Sequence, residues 1–284
     1  MGKAGLGRVA LLGTGLIGGS LAAGLKRHRM ADWIIGCAPD GDSQRALELG
    51  LVDEVSDLPE EAVAGCDAVI LAAPVSVNCE LLSRIAPSLV PGVLVTDVSS
   101  VKMPIVAAAL RHLGDALPGF VPSHPIAGSE RSGPQAADAL LFEQRTVILS
   151  PLARTDLAQA ARLEAVWREL GADVHRMDPQ EHDRVYALVS HWPHAIAFAL
   201  AATVAEQRVA ASLIGPGLLD LTRTAAAGPE LWADILLQNA APVLLAADQV
   251  SAETSAIRAA VETGDRQALI RLFSRAAQWR RGLN

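Results

Sequence analysis

A histidine, His124, ends the short apolar run Phe120-Val121-Pro122-Ser123 and opens a loop rich in Pro, Gly and Ser. Its unperturbed pKa of about 6.5 lets an imidazole take or give a proton near neutrality. Glu130 follows six residues later, in a loop able to fold back over the ring. Loops on a rigid sheet are where such groups work; the competing reading is a surface loop whose histidine merely caps the strand. A second set is Ser190-His191-Trp192-Pro193-His194. His191 and His194 are three apart and share a helix face. Pro193 lacks the N–H that would bond back to Val189, so the helix kinks or frees a carbonyl there. No third ligand has sensible metal spacing, and no metal is expected. A substrate pocket at the kink competes with a kinked core helix. Arg223 stands among apolar and small residues between Asp220 and Trp232. A buried guanidinium needs a partner, and a substrate carboxylate, met in a fork, competes evenly with a protein salt bridge.

A third kind of chemistry is written near the start. The apolar run at residues 8–12 leads into Gly13-Thr14-Gly15-Leu16-Ile17-Gly18 and then a helical pattern. This is G-x-G-x-x-G in its required strand-turn-helix setting. The first glycine allows the turn, the second lets the backbone approach a pyrophosphate, and the third lets helix and strand pack closely. Free N–H groups and the helix dipole favour phosphate. The strand at 33–37 is followed by Ala38, where an NAD site usually carries Asp or Glu; Asp40 stands two residues further on. No arginine stands there to meet a 2′-phosphate, so NAD is favoured and NADP left open.

These residues need a frame. Further short apolar runs at 68–72, 93–96, 120–121, 146–149 and 173–175 alternate with helical patterns. That alternation predicts a doubly wound, mostly parallel sheet. Ligands in such sheets bind beyond the carboxyl ends of the strands. The glycine loop, Ala73-Pro74, Ser99-Ser100 and His124 then lie along one rim. From Asp178 the pattern becomes helical. Asp178 is a good N-cap, Pro179 suits the first helical position, and Glu181 completes a capping box for a helix over 179–206. The expected division is a dinucleotide-binding domain over 1–177 and an all-α substrate and dimerisation domain over 178–284. Its apolar helices exceed what one sheet can cover, which predicts a homodimer.

Composition narrows the class. A net charge of −7 argues against nucleic-acid and anionic-membrane partners. Three cysteines, Cys37, Cys66 and Cys79, without C-x-x-C spacing, fit a reducing cytoplasm. No apolar run is expected to reach membrane-spanning length, and the N-terminus does not read as a signal peptide.

Taken together the motifs resemble the prephenate dehydrogenase family of tyrosine biosynthesis, which includes arogenate and cyclohexadienyl dehydrogenases. The resemblance covers essentially the whole chain. It rests on Gly13-x-Gly15-x-x-Gly18-Gly19-Ser20, Asp97-Val98-Ser99-Ser100-Val101-Lys102 and His124-Pro125-Ile126-Ala127-Gly128-Ser129-Glu130. It rests also on Met177-Asp178-Pro179-x-x-His182-Asp183, Ser190-His191-x-Pro193-His194, Asp220-x-Thr222-Arg223 and Trp232-x-Asp234-Ile235. It implies oxidative decarboxylation of prephenate or arogenate with hydride transfer to NAD(P). His124 is then the proton acceptor, with Ser100 bonded to it and fixing nicotinamide and substrate. Arg223 and His194 hold the substrate, Ser190, Ser129 and Glu130 line its pocket, and Trp232 borders it. Gly13, Gly15, Leu16, Ile17, Gly18, Ala38, Asp40, Ala73, Pro74 and Ser99 line the cofactor. Leu219 stands where many members carry a basic residue four before the arginine. The alternatives are a secondary-metabolism relative acting on an amino-substituted prephenate, and a nucleotide-binding sensor without catalysis. Ser100, His124 and Arg223 together argue against the sensor.

Overall fold

The computed structural model describes residues 5–39, 41–128 and 131–283. Asp40, Ser129 and Glu130, expected at the cofactor and substrate sites, lie outside the described residues. Eight strands form one sheet: β1 Arg8–Leu12, β2 Trp33–Cys37, β3 Glu54–Val55, β4 Ala68–Leu71, β5 Leu94–Asp97, β6 Phe120–Pro125, β7 Thr146–Leu149 and β8 Asp173–Arg176. Their spatial order is β3-β2-β1-β4-β5-β6-β7-β8. In the first half the helices between them are α1 Leu16–His28, α2 Asp42–Glu48, α3 Pro59–Ala62, α4 Val75–Ile85, α5 Met103–His112 and α6 Leu157–Glu169.

The strands are apolar runs because both faces of the sheet are covered. Side chains alternate between faces. Val9, Leu11, Ile34, Ala68 and Ile70 enter one core, built around α1 and α6 with Trp167 at its centre. Ala10, Leu12, Ile35, Val69, Leu71 and Val95 enter the other, against α4 and α5. One pairing departs from parallel: β6 and β7 are antiparallel, with His124 opposite Ile148. Among its described residues the link between them holds a 3-10 turn, Pro134–Ala136, and no α-helix to carry the chain back across the sheet. A parallel return needs such a crossover. The carboxyl ends of β1, β2, β4, β5 and β6 therefore share one rim, and those of β7 and β8 face the other way.

After β8 the chain is helical: α7 Pro179–Tyr186, α8 Trp192–Glu206, α9 Pro216–Thr222, α10 Pro229–Gln238, α11 Ala240–Glu262 and α12 Arg266–Arg281. Asp178 caps α7, its carboxylate accepting from the N–H groups of Gln180 and Glu181. The reciprocal half of the expected box is absent among the described residues; the Glu181 side chain lies 4.0 Å from Arg184 instead. Between α7 and α8 the chain widens into a π-helical segment, Ala187–His191, so the expected helix over 179–206 runs through with one wide turn just before Pro193. That turn reconciles the missing Pro193 N–H with helical continuation, as π-bulges do at functional sites.

The run Pro179–Glu206 corrects one expectation. At 28 residues with a hydropathy of 1.3 it is long and apolar enough, by length and composition, to cross a membrane. Its scattered His, Ser and Asp hide this from a search for unbroken apolar residues. Only 17% of its apolar 18-residue window is buried within the chain. Leu188, Val189 and Ile196 on it are exposed, as are Leu213, Leu231, Leu237, Leu244, Leu245 and Phe273 on neighbouring segments. The helical half leaves its apolar face uncovered by this single chain.

Candidate active site

At the rim the glycine loop takes the form its spacing requires. Gly13 has φ +105°, and a Cβ on it would stand 2.6 Å from the Ala72 carbonyl. A Cβ on Gly18 would land on the carbonyl of Gly13. Gly15 is different: among the described residues nothing lies within 4 Å of where its Cβ would be. That open face lies beside the N-terminus of α1, where Gly15 caps without a side chain and no acidic residue occupies the first turn. The N–H groups of Leu16, Ile17 and Gly18 belong to the first helical turn and have no intrahelical carbonyl to meet. The cradle fits a pyrophosphate. At the end of β2 the Ala38 carbonyl accepts the Ser43 hydroxyl at 3.0 Å, and position 38 brings no carboxylate. The other two cofactor loops are tied to each other by a residue not foreseen from the sequence. Asn78, wholly buried, accepts from the Ala73 N–H at 3.1 Å and donates to the Ala73 carbonyl at 2.8 Å and to the Ser99 hydroxyl at 3.0 Å. Ala73 and Pro74 thereby stand in register with Ser99 at the head of α4.

His124 lies inside β6 rather than beyond it, 8% exposed. Its Nδ1 is 2.8 Å from Nε2 of His182, on the first turns of α7. His182 Nδ1 is 2.8 Å from Oδ1 of Asp183. Tyr186, one turn on, stacks on His182 and meets His124 edge-on, with ring centroids 4.5 and 5.0 Å away. Asp183 accepts the N–H groups of Lys102 and Met103 at the head of α5, at 2.7 and 2.8 Å. Beneath β6, the buried Lys102 ammonium donates to Asp97 at 2.5 Å and to the Ser123 carbonyl at 2.6 Å. Ser100, expected to bond His124, makes no such bond among the described residues; the ring's partner is His182. Ser100 is half-buried in the loop after β5 and borders the ring of His191, whose Nδ1 meets Asn239 at 3.0 Å. His182 and Asp183 meet His124, Lys102 and Met103 only across the junction of the sheet and helical halves, and Asn239 meets Asp183 and His191 from 56 and 48 residues away, so no local pattern marks any of the three.

The third wall comes from the helical half. The rings of His194 and Trp232 stack, with centroids 3.5 Å apart. His194 Nδ1 meets the carbonyl of Ser190 at 2.9 Å. The expected pairing of His191 and His194 on one face thus resolves into a buried ring and a half-buried one. α10, which carries Trp232, is pinned at its middle and at its end. Asp234 accepts the Ser76 N–H at 3.2 Å, and Asn239 donates to the Asp183 carbonyl at 2.8 Å. Arg223 corrects another expectation: it is exposed, not buried, and makes no ion pair among the described residues. Its charge is nonetheless felt by His194, which burial first and then Arg223 hold below the usual histidine pKa.

Burial also pushes the pKa of His124 well down, with His182 and the Lys102 charge adding to it. His182 is lowered by burial against the opposing pull of Asp183, and His191 is lowered by burial to about 4. A histidine with a depressed folded pKa binds fewer protons than its unfolded counterpart, so its stability contribution is complete above pH 6.5 and lost as pH falls. His191 alone, going from 6.5 to about 4, should cost on the order of 2 kcal/mol between pH 7 and pH 5. Urea unfolding at the two pH values measures this; stability that stays level or rises toward pH 5 contradicts it.

Comparison with known proteins bears on this arrangement. The family model for the prephenate dehydrogenase nucleotide-binding domain matches residues 21–176, and that for the prephenate dehydrogenase dimerization domain matches residues 178–275. The chain belongs to the prephenate dehydrogenase family. Among its relatives, a cyclohexadienyl dehydrogenase of Zymomonas mobilis is 35% identical over 286 residues, covering 97% of this chain and 95% of that one. A prephenate dehydrogenase of Bacillus subtilis is 35% identical over 281 residues, covering 97% and 76%. The crystal structure of prephenate dehydrogenase from A. aeolicus in complex with hydroxyphenyl propionate and NAD+ superposes with a TM-score of 0.89 at 31% identity, covering 98% of each chain. The prephenate dehydrogenase fold, a sheet domain followed by a helical one, is the architecture described above, and this chain is a dehydrogenase of that family.

Proposed function

We propose that this enzyme oxidatively decarboxylates prephenate, and arogenate as a second substrate, with hydride transfer to NAD, in the route to tyrosine. One observation carries the reading. A buried histidine, a glycine-loop cradle and a wall of His194, Trp232 and Arg223 meet at one rim of one sheet. When bound, NAD supplies the hydride acceptor. The chain's own residues do the rest. The N–H groups after Gly15 would hold the phosphates, and the loops at Ala38, Ala73-Pro74 and Ser99 would flank the cofactor. His124, kept neutral by burial, takes the hydroxyl proton at Nε2, the ring nitrogen not engaged by His182. Ser100, half-buried in the loop after β5, would fix nicotinamide and substrate. Arg223 meets a substrate carboxylate in a fork, while His194, Ser190 and Trp232 form the pocket wall. Carbon dioxide leaves as the ring becomes aromatic.

Leu219 lies on α9 one turn before Arg223 and is exposed. An apolar side chain there leaves Arg223 as the cation of that segment and does not repel the ammonium of an amino acid, which supports acceptance of arogenate. Prephenate and arogenate, each assayed with NAD and with NADP, test the whole reading. Reduced cofactor should form from both substrates with NAD, and less readily with NADP. No reduction with either substrate would sink the activity, and a clear NADP preference would overturn the cofactor.

Residues 1–177 and 178–284 are taken as the sheet and helical units of a subunit that works as a homodimer. The uncovered apolar face supports this: among the described residues of the helical half, the buried apolar ones are Tyr186, Ala187, Ala197, Ile235, Val243, Ala246 and Ala260. So does the dimerization name of the family model over residues 178–275. A second copy closes such a face with twofold symmetry. Light scattering at sub-micromolar concentration should report twice the chain mass; a stable, active monomer would refute the dimer.

A further inference from the structure

The base at the centre of the site can act only if its lone pair faces the substrate. A neutral imidazole carries one proton on either of two nitrogens, and what the other nitrogen meets decides which. The deciding group here lies two hydrogen bonds away. Both oxygens of Asp183 already receive a backbone N–H, Oδ1 from Lys102 and Oδ2 from Met103. That carboxylate therefore meets His182 as an acceptor, across 2.8 Å. The proton of His182 must then sit on Nδ1, which leaves its Nε2 bare. His124 Nδ1 stands 2.8 Å from that bare nitrogen. Two nitrogens at this distance share one hydrogen, and His182 has none to give on that side. The hydrogen belongs to His124.

We propose that Asp183 and His182 are positioning residues that fix the tautomer of His124, with the proton on Nδ1 and the lone pair on Nε2. The proposal rests on the reading of His124 as the base. Complete burial of His182, 0% exposed, supports it, because the ring has no water to lend it a second proton. The relay also serves the step itself. As the substrate O–H bond breaks, its proton bonds to Nε2 of His124 and the ring becomes a cation. That cation keeps its Nδ1–H on His182, whose own Nδ1–H points to the Asp183 charge. The arrangement is anchored from three sides. Asp183 caps the start of α5, its carbonyl holds Asn239 from α10, and His182 lies under the Tyr186 ring.

The test is Asp183→Asn. An asparagine can still accept a backbone N–H, but its amide donates to His182 Nδ1. That moves the His182 proton to Nε2 and the His124 proton to its own Nε2, facing the substrate. Turnover should fall roughly 100-fold or more, with the Michaelis constant for prephenate and the dissociation constant for NAD changed less than about three-fold. A purely structural role would move all three together. Because this variant can fail to fold, the second measurement uses the wild-type protein. Histidine-selective 15N NMR, with His124 assigned by its loss in His124→Asn, should show a bare Nε2 and a protonated Nδ1. A proton on Nε2 in the wild type, or Asp183→Asn turnover within about three-fold of normal, overturns the proposal. If instead His124→Asn keeps normal turnover while the wild-type tautomer is as stated, the base assignment fails and the relay stands.

Discussion

Replacing His124 by asparagine is expected to lower turnover by roughly 100-fold or more while leaving NAD affinity nearly unchanged. The magnitude follows from what the ring does. Its Nδ1 is occupied by His182, its pKa is pressed below the usual range by burial, and it ends at the rim that carries the glycine loop. An amide there fills part of the same space and can still reach His182, but cannot take the substrate proton. Cofactor affinity should hold because the phosphate cradle is on α1, and the nicotinamide-side loops are held by Asn78 rather than by His124. Steady-state kinetics beside NAD titration of the folded variant separates the two. Near-normal turnover would remove His124 from the chemistry, and a parallel collapse of NAD binding would mean that the ring is a structural pillar of the rim.

The parts of the molecule legible in the sequence are those governed by local rules. Strands β1, β2 and β7 fall on the runs expected for them, because a strand buried on both faces must be apolar throughout. The glycine loop was readable for the same reason: its constraints act over six consecutive residues. The antiparallel β7 was not, since nothing in residues 126–145 announces that a helix is missing. β3, with two residues, is too short for any pattern to mark. In the candidate site, the setting of His124 at a strand end is readable from the sequence, yet the partner of His124 is 58 residues away and that of the Lys102 N–H is 81 away. Only the packing of α7 onto α5 and β6 brings them together. Arg223 is exposed despite its small, apolar neighbours because they cluster on a face that this single chain leaves open.

Lys102 leads to the largest stability effect expected in the chain. Both it and Asp97 are 0% exposed, on a strand end and a loop that the sheet and α7 seal from water. The ammonium gives one hydrogen bond to Asp97 Oδ2 and one to the carbonyl of Ser123, the residue before His124. Asp97 in turn accepts the N–H of Ser99 at 2.9 Å and of Ser123 at 3.2 Å, so the carboxylate cannot move away if its counter-charge disappears. Lys102→Met keeps the length and most of the volume but strands that carboxylate and one carbonyl in a dry interior. Breaking one half of a buried pair costs about 3–5 kcal/mol, far more than the intact pair contributes over an apolar substitute, because the penalty is the desolvated charge left behind. The denaturant midpoint of Lys102→Met should fall accordingly. Adding Asp97→Asn to it should recover part of the loss, since the amide has no charge to desolvate and its one carbonyl keeps the shorter bond, from the Ser99 N–H on Oδ2, while the bond from Ser123 to Oδ1 is given up. If the single variant stays within about 1 kcal/mol of the parent, a cost expected of an exposed pair, the pair is not sealed as described. If the double variant is no more stable than the single, the stranded carboxylate is not the cause.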